Sequence, residues 1–293
     1  MHNRHLERSR KVTNAHATGF DLAQPDVDSE SETPPGGMFT FSLFMGIFLT
    51  RKRTHLQTAT AMRFPSPLIK GTLIKKYRRF IVDVKLEDGS VVTAHCPTMG
   101  PMNGVSEPGQ PVMLSDSGLD TRRNRLTWEL INIDGTWVGV NSAAPPKVLI
   151  EAVGEKRIPS LNGLGEIQAD VTYGHGNKID VMLLGMEHNC FIDTFSVSWV
   201  ENDTALFPDS PSPSMTKSIR QLKEIAEQGH RAVGFFFIQR GDCSVFKPAK
   251  QVDKEFHKSM LAAQHAGVEI MVYQGHVTTE AITLGTPLPF SLD

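Results

Sequence analysis

The chain has 293 residues, of which 40% are hydrophobic and 21% are charged, and its formal net charge at pH 7 is −2. These values are typical of a globular protein with one large or two ordinary domains, and they exclude a chain whose overall charge would attract nucleic acid. The three cysteines, Cys96, Cys190 and Cys243, have no CxxC spacing. Such a set argues against a zinc site and favours a reduced, cytoplasmic protein.

Residues 1–61 differ in composition from the rest of the chain. Residues 1–37 are polar, rich in Gly and Pro and without periodicity, which predicts disorder. The apolar run Met38–Leu49 is shorter than the roughly 20 residues that span a bilayer as a helix, and basic residues follow it instead of preceding it. We interpret residues 1–61 as a disordered or spurious extension, with Met62 as the natural first residue and no membrane partner. An anchor on the membrane surface is the alternative.

Between Leu68 and Ser142 the pattern predicts about five short antiparallel strands. Asp88-Gly89 and Asp134-Gly135 each separate two runs of β-forming residues, which is a strong signal of a hairpin. A small barrel is the economical way to close such a sheet, and an oligonucleotide/oligosaccharide-binding (OB) barrel has this number of strands. We therefore predict an OB-like β-barrel domain over residues 62–145.

The remaining residues, 146–293, alternate between strand and helix patterns. Three strands precede a helix that we expect Ser214 to cap and Gly229 to end. A continuous apolar run then predicts a strand buried on both faces, and Asp253 and Gly267 bound a further helix before the last strand. The order of elements predicts an α/β domain with a mixed sheet and helices on its faces.

Four stretches resemble the sugar fermentation stimulation protein A family: HCPTMGPM at His95–Met102, TWEL at Thr127–Leu130, VTYG and KIDVML within Val171–Leu183, and FPD at Phe207–Asp209. The resemblance runs from Met62 to the C-terminus. It implies an N-terminal OB-like domain, a restriction-endonuclease-like C-terminal domain of the PD-(D/E)xK type, and DNA binding. It also implies a regulatory effect on the use of sugars, notably maltose.

The resemblance places the nuclease signature on this chain incompletely. The family's strand aspartate matches Asp180, and its Glu-x-Lys matches Asp193-Thr194-Phe195, so the acid is kept one carbon shorter and the lysine is lost. A preceding strand acid matches Asp170. From the family's acidic-basic-Gly-Gln-Lys run that leads into the next helix, only Lys217 is kept, and Thr216 stands in the place of the glutamine. The resemblance therefore implies a degenerate active site.

Asp180 and Asp193 are the candidate ligands of a Mg²⁺ ion, with Asp170 as a third, because magnesium takes one or two carboxylates together with water and phosphate oxygens. Residue 195 lies on the same strand face as Asp193, where a phenylalanine offers neither charge nor proton. Losing one electrostatic donor commonly costs about a hundred- to a thousandfold in rate. Lys217 would either replace the missing lysine or be a solvated helix residue. If Asp180 and Asp193 bind no metal, the alternative is that they are strand-end carboxylates that accept hydrogen bonds from loop amides.

The segment KKYRRF, Lys75–Phe80, is the strongest candidate for nucleic-acid contact, since cations and aromatic rings on an OB-like strand can bind phosphates and stack on bases. A basic cluster on a later loop adds to it. The candidate residues are Lys75, Lys76, Tyr77, Arg78, Arg79, Arg122, Arg123 and Arg125. An ordinary solvated strand face is the alternative.

Two hypotheses about function follow, and a third stays open. The first is a DNA-binding protein whose nuclease-like domain has lost efficient catalysis. The second is a Mg²⁺-dependent DNA nuclease with a relocated lysine, so the sequence leaves open whether the protein is an enzyme. The third is an OB module that binds carbohydrate and has no affinity for DNA.

Overall fold

The structure is a computed structural model, and it describes residues 62–64, 67–77, 80–119, 124–174 and 176–293. The described residues belong to one compact unit, Gly46–Asp293. Several sequence-based interpretations lie outside the described residues and stay predictions: those on residues 1–61 and on Arg78, Arg79, Arg122 and Arg123.

Six strands come first in the described part of the chain. They are β1 (Ile69–Tyr77), β2 (Ile81–Leu86), β3 (Val91–His95), β4 (Pro111–Asp116), β5 (Leu126–Ile133) and β6 (Thr136–Gly139). Neighbouring strands pair antiparallel in the order β3-β2-β1-β4-β5-β6, and a parallel bridge between His95 and Thr127 closes β3 onto β5. The result is a closed five-stranded barrel with β6 as an addition, which confirms the predicted OB-like domain.

The two Asp-Gly pairs form the hairpins that the sequence predicts. Gly89 has φ 87°, and Asp134 and Gly135 have φ 49° and 89°, the left-handed conformations that tight hairpin turns require. Along the strands of the barrel, alternating apolar residues point inward, and Trp128 and Val82 are among those that are wholly buried. Turn chemistry and a period of two therefore account for this part of the fold.

The second part of the chain is an α/β domain. Its elements are α1 (Ala144–Gly154), β7 (Ile167–Tyr173), β8 (Asn177–Leu183), β9 (Cys190–Val197), β10 (Trp199–Glu201), β11 (Thr204–Phe207), α2 (Pro213–Glu227), β12 (Arg231–Ile238), β13 (Val245–Pro248), α3 (Lys254–His265), β14 (Glu269–Val277) and β15 (Ile282–Pro287). The main sheet has the order β15-β14-β12-β9-β8-β7, in which β12 is parallel to both its neighbours and the outer pairs are antiparallel. The mixed sheet is as predicted, whereas the small sheet β10-β11-β13 is not anticipated by the sequence pattern.

Helices cover both faces of the main sheet. Phe235 and Phe237 of the central strand β12 pack on the side of α1, and Phe236 packs on the side of α2 and α3. This explains why β12 is a continuous apolar run. None of the helices in the described part of the chain combines the length and the apolarity that crossing a bilayer requires.

One predicted helix start is wrong by two residues. The N-cap of α2 is Ser212, whose Oγ accepts from the Met215 amide at 3.5 Å, and not Ser214. Pro213 explains the difference, because proline suits the first helical position and places the cap directly before it. Asp253 caps α3 as predicted, with Oδ1 accepting from the Phe256 amide.

The barrel and the α/β domain meet through polar contacts at two places. Gly139 donates its amide to the Gln239 carbonyl at 2.8 Å, and the Gln239 side chain donates to the Asn141 carbonyl at 3.1 Å. On the other side, Asp209 accepts from the Met102 amide at 2.8 Å. A cleft lies between these contacts and is described below.

Candidate functional site

Asp180 and Asp193 lie opposite each other where β8 and β9 part. Backbone pairing between the two strands ends at Val181 and Ile192, so the next residues in register are the two aspartates. Each carboxylate then takes a backbone amide of the other strand: Asp193 Oδ1 accepts from the Asp180 amide at 3.2 Å, and Asp180 Oδ2 accepts from the Thr194 amide at 2.9 Å and its hydroxyl at 2.5 Å. The structure thus brings the two predicted acids together and gives both a role in holding the strand ends.

Asp193 is the more deeply placed of the two acids, with 6% of its surface exposed. Burial, and secondarily the charge of Asp180, raise the pKa of Asp193 to about 6. The Ser218 hydroxyl on α2 is near enough to oppose this rise, yet Asp193 Oδ2 has no hydrogen-bond donor with acceptable geometry among the described residues. A buried carboxylate oxygen without a donor is costly unless a cation or a proton meets it.

The third candidate ligand, Asp170, lies on β7 opposite Asp180 of β8, and its side chain is exposed. The pairing of Ala169 with Val181 and of Val171 with Ile179 places it opposite Asp180, and its φ of 51° interrupts the strand there. The described residues contain no group of three His, Cys, Asp or Glu side chains arranged to hold a metal ion. Two adjacent carboxylates and one unpaired oxygen nevertheless suit an ion such as Mg²⁺, which takes most of its other ligands from water and substrate.

Phe195 is the residue to which the family resemblance assigned the lost lysine. The ring is 1% exposed, stacks on Phe236 with centroids 4.6 Å apart, and meets the edges of Phe207 and Phe256. It shares the α2 side of the sheet with Asp193, as strand alternation predicts. The position is therefore part of the hydrophobic core.

Lys217 is exposed near the start of α2, with no contact to either aspartate among those that the structure shows. One turn further along the same face, Gln221 donates to the Asn177 side chain at 2.6 Å, at the beginning of β8. Lys217 consequently emerges on the edge of α2 that faces the strand of Asp180. Ser218, which the sequence pattern does not single out, is an α2 residue whose hydroxyl faces the Asp193 carboxyl group.

The candidate nucleic-acid residues that the structure describes differ in whether their side chains are already held by other groups of the protein. The Lys75 ammonium lies 5.0 Å from the centre of the Tyr77 ring, and Tyr77 is 40% exposed while its hydroxyl donates to Asp83 Oδ2 at 2.8 Å. Lys76 points the other way and donates to the Gly100 carbonyl at 2.7 Å. Arg125 is ion-paired with Asp116 at 2.6 Å. Lys75 and the face of the Tyr77 ring are therefore the part of this candidate surface that stays exposed on β1.

A cleft of about 370 Å³ between the barrel and the α/β domain is the feature that sequence reasoning misses. Its walls come from five separate stretches, namely Phe80, residues 97–100, Ser142, the β9–β11 region and residues 208–215, which end in the first turn of α2. Only the fold brings these stretches together. The motifs HCPTMGPM and FPD were visible in the sequence and contribute to the walls, but nothing local indicates that they face each other.

The chain matches two sequence models of known domains. "SfsA N-terminal OB domain" matches residues 74–140, and "Sugar fermentation stimulation protein RE domain" matches residues 143–281. A "Sugar fermentation stimulation protein homolog" from Citrifermentans bemidjiense is 42% identical over 79% of this chain and 100% of its own length. The chain belongs to the sugar fermentation stimulation protein family. The family resemblance that the motifs indicated is confirmed.

Other members of this family are similarly close. Homologs from Geotalea uraniireducens and Trichodesmium erythraeum are each 39% identical, over 76% and 77% of this chain and 96% and 92% of their own lengths. A solved structure, described as Pyrococcus furiosus SfsA in complex with Ca²⁺, has a TM-score of 0.72 and 22% identity, and the match covers 80% of this chain and all of that one. This likeness shows that the two proteins share the barrel and α/β fold.

Proposed function

We propose that this family member is a cytoplasmic DNA-binding protein that regulates the use of sugars such as maltose, and that its nuclease-like domain holds DNA without cutting it efficiently. The burial of Phe195 is the observation that supports the loss of efficient cutting. The side chain that should stabilise a developing charge is an aromatic ring inside the core. Both aspartates also accept backbone amides of the opposite strand, which gives them a structural reason to be kept.

DNA binding is supported by the exposed face of β1. A lysine stacked over a tyrosine offers one charge for a phosphate and one ring for a base or a sugar. Because the net charge of the chain is −2, the attraction has to come from such a local surface. No element of the described residues has the geometry of a recognition helix, so we expect binding that depends on salt more than on sequence.

The test of DNA binding is the salt dependence of affinity for a labelled duplex, measured by fluorescence anisotropy with EDTA present. Lys75→Glu should weaken binding and make the plot of log K against log salt shallower by about one. Lys147→Glu is the matched control, because Lys147 is exposed on α1 and carries the same charge change. Equal effects of both variants would move the DNA surface away from β1. Salt-independent binding of maltose without DNA affinity would favour a carbohydrate-binding module.

A Mg²⁺-dependent nuclease is the second candidate, favoured by the unpaired Asp193 Oδ2. The Pyrococcus furiosus protein was solved in complex with Ca²⁺, an ion that takes oxygen ligands. In this chain Asp180 and Asp193 would hold such an ion, with Asp170 close by, and Mg²⁺ would supply charge neutralisation at a phosphate. Lys217 would provide the cation that Phe195 cannot.

Plasmid nicking with Mg²⁺ or Mn²⁺ separates the two candidates. If wild type cuts, and Asp180→Ala and Lys217→Ala do not, the protein is a nuclease with a relocated lysine and the binding-only proposal is wrong. We expect no cutting by wild type above the level of the Asp180→Ala variant. An increase in melting temperature with Ca²⁺ that Asp193→Asn abolishes would show a metal site that is independent of cutting.

A further inference from the structure

The cleft between the two domains has one wall from the DNA-binding barrel and one from the nuclease-like domain. On the barrel side, Phe80 follows directly after the basic strand segment and is 41% exposed, with φ 56° and its ring stacked on His95 at 6.1 Å. The α/β domain lines the cleft with Ser212, the N-cap of α2, and with Ser214 in the first turn of that helix. A large aromatic residue kept exposed in a left-handed conformation costs free energy, which is typical of a residue retained for binding.

The cleft is nearly uncharged on the inside. Asp209 is the one charged residue among the described residues that line it, and its carboxylate is turned to the barrel, where Oδ2 accepts from the Met102 amide and both oxygens lie against Gly100. At the mouth, Lys76 is bound to the Gly100 carbonyl. The first turn of α2 contains no acidic residue. An anionic strand therefore meets little repulsion on its way in.

The cleft is separate from the aspartate pair. Neither Asp180 nor Asp193 lines it, and Ser214, which does, lies one turn before Ser218, the α2 residue that faces Asp193. The size of the cleft, about 370 Å³, is at the lower end of the roughly 300–1,000 Å³ found for small-ligand pockets, and a double helix cannot enter it.

The geometry points to one occupant, an unpaired nucleotide of a DNA strand whose neighbouring phosphates lie along Lys75, with the base against Phe80. This inference rests on the proposed DNA binding and deepens it, because it assigns the substrate class as single strands or frayed and overhanging ends. A saccharide of similar size is the competing occupant.

The test uses anisotropy at one fixed salt concentration with EDTA and three labelled probes of the same sequence: a single strand, a blunt duplex and a duplex with an overhang. The single strand and the overhang should bind more tightly than the blunt duplex. Phe80→Ala should weaken single-strand binding roughly tenfold, as removal of a stacking ring does, and change duplex binding less than twofold. Met186→Ala, an exposed loop residue, is the control.

A second variant separates binding from folding. Ser214→Glu puts a carboxylate in the first turn of α2, where it stabilises the helix, so the melting temperature should stay or rise. Single-strand affinity should fall at least fivefold, whereas the neutral Ser214→Gln should leave it nearly unchanged. If all probes bind equally and only Lys75→Glu weakens them, DNA binding stands and the nucleotide site is wrong. If no probe binds, both proposals fail, and direct binding of maltose measured by calorimetry would then assign the cleft to a saccharide.

Discussion

Asp193 holds a carboxyl group in surroundings that favour its protonated form. Its pKa of about 6 lies above the ordinary value of 3.8 because the group is buried and faces Asp180. A native state that binds this proton more tightly than the unfolded chain loses stability as pH rises from about 4 to 7. The difference between the two pKa values corresponds to at most ~3 kcal/mol.

Asp193→Asn should remove this pH dependence. The amide keeps an oxygen for the Asp180 N–H and carries no charge, so without metal the variant should gain in free energy of unfolding relative to wild type as pH rises from 4.5 to 7.5. Urea denaturation at both pH values in EDTA measures the gain. Asp116→Asn is the control, because Arg125 lowers the pKa of Asp116 and its contribution is constant over this range. A gain that is equal at both pH values would contradict the assigned pKa.

Phe195→Lys introduces the lysine that the family resemblance implies at this position, and it should nevertheless unfold the domain. A lysine at this position would bury its ammonium between the rings of Phe236 and Phe256, and an uncompensated buried charge costs about 3–5 kcal/mol. Phe195→Leu, which keeps an apolar side chain, should cost less than half as much. Thermal unfolding by circular dichroism compares the two. A stable Phe195→Lys protein with raised nicking activity would show that the site can admit water and a cation.

At the scale of elements, local chemistry made most of the fold predictable. The Asp-Gly pairs fix the two hairpins because their glycines adopt the left-handed backbone that a tight turn needs. Asp253 and Gly267 bound α3 where the sequence indicated. The sequence pattern assigns the cap of α2 to Ser214, whereas the structure has it at Ser212. Two serines flank Pro213, and only the position of the proline distinguishes them. Short strands such as β10 and β13 carry too few residues for a visible period.

The candidate site was predictable to the extent that it depends on single strands. That Phe195 shares a face with Asp193 follows from alternation, and that Asp180 and Asp193 meet follows once their strands pair. The exposure of Asp170 could not be foreseen, because it comes from a left-handed residue in the middle of β7. The cleft depends on how the two domains dock, for which the sequence has no local signal.

Asp253 joins the starts of two helices and offers a test at this scale. Oδ1 accepts from the Phe256 amide in α3 at 2.9 Å, and Oδ2 accepts from the Ser212 amide before α2 at 2.8 Å. Asp253→Ala should lower the free energy of unfolding by about 2–4 kcal/mol, because a cap is lost and the Ser212 amide is left without an acceptor.

Two further variants resolve the parts of this effect. Asp253→Asn keeps the cap of α3 but places an amide donor against the Ser212 amide, so its loss should be intermediate. Ser212→Ala removes only the cap of α2 and should cost about 1 kcal/mol. Chemical denaturation measures all three. Equal losses for Asp253→Asn and Asp253→Ala would mean that the link to Ser212 carries the whole effect.

On the scale of the whole molecule, the docking of the barrel onto the α/β domain depends on a glycine. Gly139 ends β6, and a Cβ built there would lie 2.4 Å from Oε1 and 3.1 Å from Cβ of Gln239. Gln239 is wholly buried and spans both domains, donating to the Asn141 carbonyl of the barrel side and to the Ser196 hydroxyl of β9. Only the absence of a side chain lets the Gly139 amide reach the Gln239 carbonyl.

Gly139→Ala should therefore loosen the domains as well as destabilise them. Overpacking of this kind costs about 1–3 kcal/mol, and we expect the single unfolding transition of wild type to broaden or divide in differential scanning calorimetry. Gln239→Ala alone removes two hydrogen bonds but leaves space, so Gly139→Ala should cost at least 1 kcal/mol less in the Gln239→Ala background than in wild type. This coupling distinguishes a clash at the interface from a general loss of strand propensity, which would add independently of residue 239. Because the cleft exists only while the domains are docked, Gly139→Ala should also weaken single-strand binding more than duplex binding. Gly241→Ala is the comparison, because a Cβ at Gly241 would meet only the Gly275 carbonyl oxygen, at an ordinary 3.7 Å.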